Sequence, residues 1–288
     1  LSELSQFAFT VALVALAVGV GLYFFNVIGN RNMQLGLAGG GTLSVAGPTG
    51  FQTAAGRFAT ILTVNTFVFL TLSLASRAIA TGHGPFANMY EFSTAFAWGA
   101  VAMFLYFEFR YKMRTLALLV LPVALGLLIY ATTVPRDITP LVPALQNDLL
   151  LTVHVAVAIV SYGAFAVGFA AAVLYLAQRN DSIGWLPTQP RLEEMGYRAV
   201  LVGFPLLALT IILGALWAEI AWGTYWSWDP KETASLVTWL IYGGYLHARV
   251  IRGWRGDRSA YLLLIGFAAI LMTFFGNLFF GGLHSYAG

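Results

Sequence analysis

The chain has 288 residues, 59% of them hydrophobic and only 9% charged, with a formal net charge of +3 and no cysteine. A soluble domain carries roughly 25% charged residues, so a water-facing surface is excluded for most of this chain. The missing thiols exclude disulfides, thiolate metal sites and a redox-active thiol.

Runs of about 20 apolar residues cross a bilayer, and eight are expected here: 6–28, 58–80, 92–109, 115–133, 149–177, 196–220, 233–250 and 259–280. They are continuous rather than alternating, which predicts an all-α, polytopic membrane helix bundle and not a barrel. The first run lacks a basic leading segment and exceeds a signal-peptide core in length, so it reads as a helix. Between the first two, residues 30–57 hold "GLAGGGTLSVAGPTG" and read as a Gly-rich loop. After the fourth comes "VPRDITPLVPALQNDLL", whose Pro135, Pro140 and Pro143 rule out one long helix and predict short pieces along the membrane surface. Residues 180–193 form a polar, Pro-containing connection, and 221–232 a tryptophan-rich one. Nothing divides the chain, so 1–288 reads as a single transmembrane domain. No internal repeat suggests an inverted-repeat transporter.

Apart from Arg77, Arg136 and Lys231, all 15 Lys and Arg residues fall in or beside the connections after runs one, three, five and seven. Cytoplasmic loops carry the basic excess. This side is expected to face the cytoplasm or plastid stroma, with both termini and the tryptophan segment outside. Nothing in the charge pattern suggests nucleic acid.

Four histidines carry the remaining chemistry. An ionisable residue within a membrane helix is a functional candidate by default. His83 falls in an outer loop, His154 about a turn inside the outer end of run five, and His284 after run eight on the same side. His247 lies near the inner end of run seven. Each could simply pack and hydrogen-bond a neighbour; His247 could also snorkel toward the inner interface beside Arg249. For His154 that plain reading is weakest, because its flanks are aliphatic. Zinc wants three or four converging ligands, whereas haem iron needs one or two imidazoles and apolar walls. Sparse histidines among dense aromatics fit haem better. Two outer histidines can then serve one haem, while His247 is left as half of a second, inner site.

The segment "WGTYWSWDPKETASL" opens a helix: Asp229 as N-cap, Pro230 first, Glu232 third in a capping box. That accounts for Asp229 and Glu232 without a ligand, and interface aromatics are common. Three tryptophans in one short connection, Trp222, Trp226 and Trp228, go beyond an interface belt. With Gly223 leaving backbone room, they read as a platform for a flat, hydrophobic cofactor with acidic edges.

At this point "WGTYWSWDPKETASLVTWLIYGGYLHAR" resembles the tryptophan-rich WWD signature of haem-handling proteins in cytochrome c assembly. Within that group the sequence is most similar to the CcsA (ResC) family of the system II pathway. "GHGPFANMYEF", "LVPALQNDLLLTVHV", "YLHAR" and "LHSYA" add to the likeness in the same order, across most of residues 80–288. The resemblance implies that His154 and His284 hold an external haem b over Trp222, Gly223, Trp226, Trp228 and Asp229. It implies that His247 ligates an inner haem with a histidine from the membrane partner CcsB (ResB), and gives His83 a secondary place. The implied activity is haem transport and its thioether attachment to apocytochrome c, as half of a synthase. A separate thioredoxin-like reductant would keep the client thiols reduced. The membrane would be the bacterial cytoplasmic or plastid thylakoid membrane. A system I WWD protein, a b-type cytochrome subunit and a transporter for another flat amphiphile stay open as alternatives.

Overall fold

The computed structural model describes residues 1–38, 50–138, 148–276 and 279–283. Among them the chain forms eight α-helices and no strand: α1 (Ser2–Ala38), α2 (Gly50–Thr81), α3 (Met89–Tyr111), α4 (Ala117–Thr133), α5 (Asp148–Ala177), α6 (Gln189–Trp222), α7 (Pro230–Val250) and α8 (Asp257–Phe275). The all-helical membrane bundle read from the sequence is what forms.

Seven of these helices are long and apolar enough to cross a bilayer; α7 falls short. Its ends explain why: Lys231 and Glu232 sit in the first turn, His247 and Arg249 in the last. Yet α7 starts beside the C-terminal end of α6, and its Arg249 pairs with Glu193 near the start of α6. It therefore runs antiparallel to α6 across the same thickness.

Lipid tails are as apolar as leucine, so helix association here depends on close packing and polar links. Helix α5 supplies the first. Its stretch "SYGAFAVGFAAA" lets it lie in the middle of the bundle, against α3, α6 and α8. At the α3–α5 crossing the two backbones meet at Gly99 and Gly163, where a Cβ on either would overlap the facing helix. The polar links lie near the ends. Glu108 of α3 accepts from Tyr23 (2.8 Å), Thr60 (2.6 Å) and Arg114 (2.8 Å), joining α1, α2 and α3. At the opposite end Arg77 pairs with Glu91 at 2.6 Å, both buried, and also donates to the Arg136 carbonyl at 2.8 Å.

The helix ends correct several sequence-based bounds. Helix α6 begins at Gln189 rather than 196, because Thr188 is extended and a proline occupies its first turn. At 34 residues it is about 51 Å long, well beyond the ~30 Å hydrocarbon core. Helix α8 stops at Phe275, short of the expected 280. Helices α1 and α2 run into the stretch read as a Gly-rich loop, and its centre, 39–49, lies outside the described residues, as does 139–147 of the proline-rich connection.

Candidate functional site

The ends of α3, α5, α6 and α8, with the start of α7, surround a cavity. Its walls are largely apolar and aromatic: Phe92 and Phe96 from α3, Tyr162 from α5, Phe274 from α8, and Tyr225 and Trp226 from the connection after α6. Six polar side chains interrupt them, His154, Thr210, Lys231, Glu232, Ser235 and Thr273.

His154 is held in one orientation. Its Nδ1 lies 2.9 Å from the Thr210 carbonyl oxygen on α6. A carbonyl only accepts, so Nδ1 carries the proton and Nε2 keeps its lone pair. The ring fits because residue 214 is glycine; a Cβ there would come within 2.9 Å of the His154 Cε1. An imidazole fixed through one nitrogen, with the other free in a cavity, has the form of a metal ligand.

The tryptophan segment is divided by function. Trp226 lines the cavity. Trp222 is partly buried and meets Trp217 edge-on at 4.7 Å, within a cluster with Phe86, Leu151 and Val155. Gly223 ends α6 in the left-handed region, φ +72°, and donates its N–H to the Glu219 carbonyl, which is where glycine is favoured. A Cβ on it would meet nothing within 4 Å. Trp228 is 68% exposed and also has positive φ, +59°. For a bulky residue that is an outlier.

Asp229 is buried and caps α7 as the sequence predicts. Its Oδ1 accepts from the Lys231 N–H at 2.9 Å, while Glu232 reaches back to the Asp229 N–H at 3.2 Å. Its other oxygen accepts from the Leu283 N–H at 2.7 Å, so the segment after α8 docks on the start of α7. Gly282 permits this, since a Cβ there would collide with the Asp229 carboxylate. His284, the next residue, lies outside the described residues.

The other two histidines are elsewhere. His83 lies in the loop before α3, its Nδ1 2.9 Å from the Gly84 carbonyl, and is not among the cavity-lining residues. His247 is exposed on the last turn of α7. Two residues along a helix is a rotation of about 200°, so His247 and Arg249 point to opposite sides. Arg249 is buried, paired with Glu193 and stacked 4.5 Å from the Tyr197 ring. That inward anchor turns His247 out of the bundle.

Lys231, Gly214 and the Thr210 carbonyl were not singled out from the sequence. Gly214 carried a faint signal, a glycine in an otherwise branched and bulky run, "LTIILGALW". The Thr210 contact has none, because it depends on how α6 is rotated against α5.

Residues 86–284 match the family model described as cytochrome C assembly protein. The cytochrome c biogenesis protein CcsA of Guillardia theta is 37% identical over 252 residues, covering 78% of this chain and 83% of that protein. CcsA of Prochlorococcus marinus subsp. pastoris is 36% identical over 268 residues, covering 82% and 85%. In fold the chain is similar to a solved cytochrome c heme lyase, CcmF, with TM-score 0.64 and 20% identity. That match covers 95% of this chain and 46% of the other.

Proposed function

The chain belongs to the cytochrome c assembly protein family, in its CcsA branch, and on that premise we propose that it moves haem b across the membrane and presents it for attachment to apocytochrome c. It is an integral membrane protein of cytochrome c biogenesis. The observation that carries the finer reading is His154, locked by the Thr210 carbonyl in the Gly214 notch, at the wall of a cavity lined by aromatic side chains.

The residues fit the group. His154 offers one axial nitrogen, Trp226, Tyr225 and Phe92 offer planes, and Lys231 offers a cation. His284 is the second axial candidate, and Leu283, the residue before it, is tied to Asp229 at the tryptophan segment. When bound, haem would supply the iron that the imidazoles ligate and the vinyl groups that become the thioether carbons of a cytochrome c. The chain's own part is to hold, orient and exclude lipid, with proximity supplying much of the rate.

His247 belongs to a second, inner site shared with CcsB. Its exposure on the outer face of α7 supports sharing, since a membrane-facing imidazole is costly without a partner. The basic end would face the cytoplasm or stroma, and a separate thioredoxin-like protein would keep the client thiols reduced. The fold shared with CcmF, a cytochrome c heme lyase, agrees with a synthase role.

Absorption spectra of the detergent-purified chain and of its complex with CcsB, oxidised and dithionite-reduced, test this. Six-coordinate b-type bands that weaken in His154→Ala, together with failed cytochrome c maturation, are expected. A complex free of haem at every stage of preparation would remove the haem reading.

A further inference from the structure

A cation, Lys231, borders the cavity beside His154. Lys231 occupies the first turn of α7 and borders both this cavity and a second apolar groove, between α7 and α8, that includes Val237, Met272 and Thr273. Its Nζ lies 5.5 Å from the Phe92 ring on α3. No acidic side chain among the described residues forms an ion pair with it.

The two nearby acids are engaged elsewhere. Asp229 gives one oxygen to the Lys231 backbone N–H and the other to the Leu283 N–H. Glu232 turns one oxygen back onto the tryptophan segment, where Oε2 accepts from the Ser227 N–H at 2.9 Å and the Asp229 N–H at 3.2 Å. Its Oε1 is buried without a hydrogen-bond partner and so contributes an acceptor, not a donor, to the same wall. Among the described residues Lys231 is the only Lys or Arg bordering this cavity. An ammonium facing an apolar chamber, with one aromatic face for company, is poorly compensated. It is well placed to receive an anionic group that arrives with a ligand.

We propose that Lys231 is the carboxylate-binding residue of this cavity and that it pairs with a propionate of the macrocycle held by His154. This rests on the haem reading above and adds to it. His154 sets where the metal sits, whereas Lys231 sets which edge of the ring faces α7. A planar ligand with apolar and acidic edges then has one favoured orientation. The chamber discriminates for ligands that carry a carboxylate and against equally flat ones that do not.

The test compares haem b with haem dimethyl ester, in which both carboxylates are capped, by titrating the full chain purified in detergent from haem-deficient cells. A charge-assisted pair in a partly buried site predicts that the unaltered protein prefers haem b by roughly tenfold or more. Lys231→Met should lose that preference, binding the ester as the unaltered protein does, and Lys231→Arg should keep it. If Lys231→Met binds neither ligand, Lys231→Arg decides: a retained preference supports the assignment and a lost one overturns it. Equal binding of both ligands by the unaltered protein, or a preference that survives in Lys231→Met, also overturns it. Binding of neither ligand by the unaltered protein removes the haem reading beneath it, a distinct outcome.

Discussion

The surroundings of His154 and of His247 are built in opposite ways. His154 looks into a chamber, with its ring held by α6, its seat cut by Gly214 and its walls drawn from five helices and a connection. His247 is held only through its own helix, whose neighbouring Arg249 is anchored inward. One region offers a finished half-site with room for a ligand; the other offers a single imidazole on an open face. A ligand group that must be shared between chains belongs on an exposed face, and one that must be shielded while it is oriented belongs in a cavity. On the function proposed above, the two arrangements would divide the labour of transfer from presentation.

The largest expected effect comes from breaking the anchor that turns His247 outward. Arg249→Leu leaves Glu193 half of a buried pair, which typically costs 3–5 kcal/mol. Arg255 lies 3.6 Å from the same carboxylate and offsets part of the loss, so about 3 kcal/mol is expected. Replacing Glu193 by Gln in the same chain should recover most of it, as read from thermal unfolding in detergent. The His154 spectral signal should survive in Arg249→Leu protein that remains folded. Loss of both signals together would mean that the two regions are one structural unit, contrary to the comparison.

A smaller effect on stability, but a larger one on ligation, is expected in the chamber. Gly214→Leu places atoms where the His154 ring lies, and overpacking of this kind costs roughly 1–3 kcal/mol. The ring must leave the Thr210 carbonyl, and the b-type bands assigned to this site should disappear as in His154→Ala. Gly214→Ala should weaken them less, since its Cβ meets only the ring edge. Unchanged spectra in Gly214→Leu would show that His154 is not seated as described.

Most of the fold was legible in the sequence because lipid imposes a simple rule, which seven of the eight helices meet while α7, with its charged ends, falls short. The helix ends were less legible where polar turns continue a helix beyond the bilayer. Helix α6 gains Gln189 to Met195 this way, and α8 stops at Phe275 although apolar residues follow. In the site, residue type was legible and role was not. His154 and Trp226 meet at one cavity, as their chemistry suggested, while Trp222 turns back into packing with Trp217. Which face of a helix a residue occupies follows from periodicity, but what stands opposite follows from helix rotation. Lys231 illustrates this: the sequence shows a charge on the sparsely charged side, and only the packing of α7 against α6 and α8 puts it in a chamber wall.

Trp228 gives the smallest expected change in stability and sharpens what the chamber's rim is for. Its left-handed backbone costs on the order of 1 kcal/mol, and its ring is 68% exposed. The edge-on contact with Trp226 at 5.8 Å returns something near 0.5–1 kcal/mol. Trp228→Gly removes both the strain and the contact and adds unfolded-state entropy, so the melting temperature should hardly move. Trp222→Ala, which empties a packed position, should lower stability by about 3 kcal/mol. Cytochrome c yield in cells separates the two roles: Trp228→Gly should lose maturation while remaining as stable as the parent. A strained residue whose contact returns no more than the strain costs is a candidate for a role other than stability. If Trp228→Gly instead melts early and matures cytochrome c normally, the rim is a packing element and the platform reduces to Trp226 and the cavity behind it.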